Sequence, residues 1–381
     1  MLYTNATIID GSGAPAIHPG ALLTDNSQVI FAGHVDDLPP TDQEPIDVNG
    51  AIIVPGYVDI HHHGGAGGAY DDGYEAAIAS LKAHRAHGTT RSVLSLVTAD
   101  IDTLLARMEA LRPLIDADDL VLGIHPEGPF LNAERKGAHD ENLLQDPNPE
   151  VIARIVEAHG DVLVQFTLAP ELPGGIESTE YLSAKGIAVA VGHTAATFED
   201  ANAAFSHGAT VLTHAFNGMN GIGHRAPGPV IAALRHPGVW LEIINDGIHV
   251  HPSVVKMLFL EAPERTVLVT DAMSATCNPD GQYMLGNLEV TVADGVATLT
   301  HGGSLAGSTL TMDRAVANAV QQVGVPLELA VAAATSHPAT AIGMGDKYGR
   351  LAAGYPADYL FLDPDTLLPT KIVAAGEELS F

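Results

Sequence analysis

Residues 54–63 read Val54-Pro55-Gly56-Tyr57-Val58-Asp59-Ile60-His61-His62-His63. A Pro-Gly break is followed by a short apolar run that ends in three histidines. The run is of strand length, and its tip carries chemistry. Side chains alternate across a strand, so His61 and His63 share one face. His62 points the other way and reads as structural.

The rhythm of the chain changes at this stretch. Before it, short strands are expected at 2–9, 21–23, 29–32 and 51–54, separated by turn clusters such as GSGAP and LPP. After it, apolar runs alternate with helical segments. Strands are expected at 57–60, 90–97, 120–124, 162–168, 187–191, 210–215, 240–245 and 266–270. Helices near 74–87, 101–114, 150–159, 177–185, 198–207, 228–235 and 252–260 follow the first seven. Continuous β-branched runs suit strands buried on both faces. Eight such units predict a (β/α)8 TIM-like barrel over 54–345. A hairpin insertion is expected near 277–305, where LEVTVADGVATLT alternates around an Asp-Gly turn. A helix at 311–323 completes the last unit. The chain ends, 1–53 and 346–381, are expected to pair into one small β-sandwich domain.

Almost every barrel strand ends in a metal ligand or an acid. The tips carry His61 and His63; His125 and Glu127; His193; His214; then Asp246 and His249; and finally Asp271. The C-terminal mouth of such a barrel is where its chemistry sits. A buried carboxylate such as Glu127 needs a partner. Converging imidazoles and carboxylates suit a borderline divalent ion. The remaining histidines at 34, 84, 87, 207, 224, 251, 301 and 337 read as packing or surface residues, and Cys277 as a bystander.

Bulk composition narrows the class. At 381 residues the chain exceeds the roughly 250–300 that one core usually serves, so a second, smaller domain is expected. The net charge of −29 argues against nucleic acid and anionic membranes. No stretch of about 18 apolar residues is present, and the start MLYTNATIIDGSG lacks a signal-peptide pattern. One cysteine allows no internal disulfide and fits a reducing, cytoplasmic setting.

Several segments together resemble the N-acetylglucosamine-6-phosphate deacetylase family of the amidohydrolase superfamily. They are PGYVDIHHHG, HPEGPFLN with KGAH, VGHT, THAFNGM, NDGIHV, TDAM and LAGSTLTMD, closed by GRLAAGYPADYLFLD. The resemblance runs the whole length in order. It implies that Glu127, His193 and His214 hold a divalent ion and that Asp271 is the acid–base residue. His61 and His63 would hold a second ion. One or two ions are implied, zinc or iron first, with manganese or cobalt also accepted by such donors. No strand ends in lysine, so Glu127 takes the place of the carboxylated lysine found in many two-metal relatives. Asn217, Gly218 and Arg225 would meet phosphate or sugar, Arg225 through its planar fork. Ala138 and His139 would lie beside them. His249 would touch the acetyl carbonyl or a hydroxyl, and Leu305, Ala306 and Gly307 would form the far wall. The implied reaction is hydrolysis of the acetamide of N-acetyl-D-glucosamine 6-phosphate, by a cytoplasmic homodimer. The rival readings are another amidohydrolase, acting on acyl amino acids or cyclic amides, and a non-catalytic sugar-phosphate sensor. The sensor would require a broken ligand ring.

Overall fold

The computed structural model describes all 381 residues. Eight parallel strands follow one another around the barrel in chain order: Tyr57–His62, Thr89–Val97, Val121–Glu127, Gln165–Leu168, Ala188–Val191, Ala209–Leu212, Trp240–Ile244 and Thr266–Val269. The ring closes where the Asp271 amide donates to the His61 carbonyl at 2.9 Å. Nearly every strand residue is buried, which explains the unbroken apolar runs. Helices cover the outside, and one continuous core joins both layers.

Local chemistry starts several of these helices. Asp100 caps Ile101–Ala117 by accepting from the Thr103 amide at 3.0 Å. Thr197 and Asp200 form a reciprocal box at the start of Phe198–Ser206.

The two chain ends share one eight-stranded sheet. Tyr359–Leu362 runs antiparallel to Ile52–Pro55, and Leu2–Ile8 lies on the other side of the latter. This sheet carries its own core, which includes Tyr3, Ile8, Leu22, Ile53, Tyr359 and Phe361. Pro45–Asp47 adds a short strand that was not expected.

Two further regions are richer than the sequence reading. The insertion is a three-stranded meander, Gly281–Leu285, Leu288–Ala293 and Val296–Leu299. The expected Asp-Gly turn joins its last two strands, with positive φ at both Asp294 and Gly295. The expected helix at 311–323 is Met312–Asn318 continued by a π-helical turn, Ala319–Val323. Two unexpected helices follow, Leu327–Ala333 and Ser336–Ala341.

Candidate metal centre and active site

Glu127, at the tip of the third barrel strand, is the hub. Its Oε1 lies 3.2 Å from His193 Nε2, 3.2 Å from His214 Nε2 and 3.4 Å from His61 Nε2. Its Oε2 lies 3.1 Å from His63 Nε2 and 3.6 Å from His139 Nε2. Asp271 Oδ1 approaches His63 Nε2 at 3.4 Å. All of these side chains are buried.

The backbone is shaped to aim them. His193, His214 and Asp271 all adopt positive φ, where non-glycine residues are uncommon. Each stands just past a strand and turns its side chain into the mouth. Gly192 permits this at His193, because a Cβ there would stand 2.6 Å from Thr213 Cβ and 2.8 Å from Thr167 Cγ2. Gly56 is equally confined, 2.2 Å from Thr90 Oγ1.

The donor set fits a divalent ion. His193 Nδ1 donates to the Arg135 carbonyl at 2.9 Å, which leaves its Nε2 as a lone pair. That Nε2 faces His214 Nε2 at 3.1 Å. The ligand atoms of Glu127, His193 and His214 therefore stand 3.1–3.2 Å apart. Ligands on one tetrahedral ion are separated by roughly 3.3 Å. His61, His63 and Glu127 form a second grouping of the same kind.

The electrostatics agree. Burial works against the charged form of His61, yet Glu127 and Glu242 hold its pKa well above the ordinary value. Burial likewise opposes charging of His63, but Asp271 and Glu127 pull it up to about 9. Burial would raise the Glu127 and Asp271 carboxyls, and the surrounding imidazoles hold both below the usual range. Such a group of carboxylates favours positive charge at its centre, which a cation would supply.

A cavity of about 220 Å³ opens over this cluster. Its lining includes His63, Glu127, Ala138, His139, His193, His214, Asn217, Gly218, His249, Asp271, Leu305 and Gly307. Three other sequence-predicted residues stand elsewhere. His61 lies beneath the cavity floor, fully buried. Ala306 turns into the core under the insertion. Arg225 is exposed on the loop after the sixth strand and does not line the cavity. His249 is anchored by Asp246, whose Oδ2 accepts from its Nδ1 at 2.7 Å. Burial would lower the His249 pKa, and Asp246 raises it.

The sequence reading missed Val97, Gly137, Leu285 and Ser304, which also line the cavity. His62 behaves as strand alternation required: its Nδ1 meets the Tyr70 hydroxyl at 2.9 Å, and its ring packs on His84. His125 points below the centre, where its ring meets Ser95 and Thr167 hydroxyls.

The Amidohydrolase family model matches residues 52–379. The chain belongs to the amidohydrolase family. Among relatives of this amidohydrolase, the N-acetylgalactosamine-6-phosphate deacetylase of Escherichia coli O157:H7 is 36% identical over 345 residues, 90% of this chain and 91% of that protein. The N-acetylglucosamine-6-phosphate deacetylase of Lysinibacillus sphaericus is 34% identical, over 98% of this chain and 96% of its own length. An Asp→Ala variant of the Mycobacterium smegmatis N-acetyl-D-glucosamine-6-phosphate deacetylase, solved with N-acetyl-D-glucosamine 6-phosphate, superposes with a TM-score of 0.93. It is 39% identical to this amidohydrolase, covering 99% of this chain and 98% of that one.

Proposed function

We propose that this amidohydrolase cleaves the acetamide of N-acetyl-D-glucosamine 6-phosphate, giving D-glucosamine 6-phosphate and acetate. The observation that carries the reading is the convergence of Asp271 with the Glu127–histidine cluster on one wall of the cavity, faced by His249. The long relatives named for this reaction support the substrate class.

Glu127, His193 and His214 would hold a divalent ion, with His61 and His63 offering a second position. Such an ion acidifies water and polarises an amide carbonyl. Zinc or iron suits the donors best, and manganese or cobalt also fits. The protein's own groups do the rest. The Asp271 carboxylate accepts the proton of the attacking water as its oxygen bonds to the acetamide carbon. It then returns that proton to the nitrogen as the C–N bond breaks. His249, whose Nδ1 donates to Asp246, would in the charged form that Asp246 favours donate from Nε2 to the carbonyl oxygen. The relative captured with its substrate carries an aspartate replaced by alanine, which accords with an aspartate doing the proton work.

Asn217 and Gly218 would receive the phosphate end, on the loop that continues to Arg225. Arg225 stands outside the cavity lining, so a part in recognition requires its loop to turn inward; with that part, Arg225→Ala should raise KM for the phosphorylated sugar and leave metal content unchanged. Equal KM values would remove Arg225 from recognition. We further propose a cytoplasmic homodimer. No helix is long and apolar enough to cross a membrane, and light scattering checks the assembly.

A second reading concerns only the sugar. The Escherichia coli relative is named for the galacto epimer. Acetate release should therefore be measured from both N-acetylhexosamine 6-phosphates, unphosphorylated N-acetylglucosamine and an N-acetyl amino acid, with metal counted on the same sample. Preference for a phosphorylated sugar supports the reading, and the better epimer names the substrate. A metal-loaded sample that deacetylates no sugar sinks it.

A further inference from the structure

One buried carboxylate beneath the centre has no part in the chemistry above. Glu242 sits in the middle of the seventh barrel strand, Trp240–Ile244, between Leu241 and Ile243, wholly shielded from solvent. Barrel interiors are normally filled by Val, Ile and Leu. A carboxylate there is unfavourable unless its lone pairs find donors.

Its donors are specific. Oε2 accepts from His61 Nδ1 at 3.0 Å and from the His214 backbone amide at 3.2 Å. Oε1 accepts from Gln165 Nε2 at 2.8 Å. One oxygen thus grips a ring on the first strand and the backbone of a histidine just past the sixth. With its Nδ1 donating, neutral His61 keeps a lone pair on Nε2. That atom has no well-formed hydrogen bond of its own and lies 3.4 Å from Glu127 Oε1.

We propose that Glu242 is a positioning residue of the ion centre. It holds the His61 ring in the orientation and tautomer that present Nε2 as a ligand. The proposal rests on the ion centre described under the proposed function. Loss of a carboxylate behind a ligating imidazole typically lowers metal affinity or activity about 10–100-fold.

Glu242→Gln preserves the shape and removes the charge. Zinc affinity by chelator competition, and ions per chain by mass spectrometry, should be compared for wild type, E242Q, H61N and the double variant. Affinity in E242Q is expected to fall about 10–100-fold. Ion-free E242Q should unfold close to wild type, and the double variant should bind no more weakly than H61N. Equal affinity in wild type and E242Q overturns the proposal. So does a double variant whose loss equals the two single losses combined, because Glu242 would then act independently of His61. If E242Q does not fold, nitrogen NMR of histidine-labelled wild type decides. In the zinc-loaded protein, a His61 ring protonated on Nδ1 alone supports the proposal, and a ring protonated on Nε2 alone overturns it. Wild type that binds no divalent ion has a different signature: it removes the ion centre itself, and this role with it.

Discussion

Asp271 and His193 show how a single residue is made useful by its place at the end of a strand. Asp271 is buried, and its backbone is held by the His61 carbonyl, so its carboxylate has little freedom to wander from His63. Asp271→Asn keeps that shape but cannot accept a proton. Turnover should fall about 10²–10⁴-fold, the usual share of a positioned acid–base group, while metal content stays at the wild-type level. Near-normal turnover would remove Asp271 from the mechanism. At His193 the critical neighbour is Gly192, where a methyl would collide with two threonines from adjacent strands. Gly192→Ala should destabilise the fold by about 1–3 kcal/mol through overpacking and weaken metal retention, since relief requires moving the strand end. Thermal unfolding and metal analysis would test both parts. These residues were legible without coordinates because each follows an apolar run directly. Glu242 and Leu285 were not. Glu242 is hidden inside such a run, and Leu285 reaches the cavity only because the inserted meander folds back over Val97.

At the scale of elements, the last barrel unit must be tied to the first. One tie is His87, just after the first helix, whose Nδ1 meets Asp313 Oδ2 at 2.9 Å at the start of Met312–Asn318. Asp313, with Cys277 contributing, raises the His87 pKa from 6.5 to about 10 against the opposing effect of burial. A histidine raised in the folded state stabilises fully below its unfolded pKa and loses that contribution as pH climbs through the folded one. The denaturation midpoint of wild type should therefore fall between pH 7 and pH 10 more steeply than that of His87→Gln. Parallel pH profiles would show that the pair adds nothing to stability. The eight strands were readable because burial on both faces writes unbroken apolar runs. The helices Leu327–Ala333 and Ser336–Ala341 were not, for a related reason. Ala330 to Ala334 are all buried, so no polar stripe marks a helical period. Pro338 lies in the first turn of Ser336–Ala341, where proline is tolerated.

For the whole molecule, the barrel mouth is a place where folding and ligation are coupled. His61, His63, Glu127, His193, His214 and Asp271 are brought from strands distant in sequence into one buried cluster. Without a cation, two carboxylates and four imidazoles stand together in one buried cluster. His61 and His63 then stand well above their usual pKa because the carboxylates demand it. A bound ion takes over that charge and stabilises only the folded chain, because the unfolded chain scatters the ligands. At an ion concentration a thousandfold above Kd the gain is about 4 kcal/mol. Chelation should therefore lower Tm by several degrees and make the loss reversible on adding zinc. The same treatment of a Glu127→Gln variant should change Tm far less, since its hub has already lost its charge. A chelated wild type with unchanged Tm and full metal depletion would mean that the cluster folds as firmly empty as filled. The link between ligation and stability would then be lost, while the case for catalysis at Asp271 would stand on its own variant.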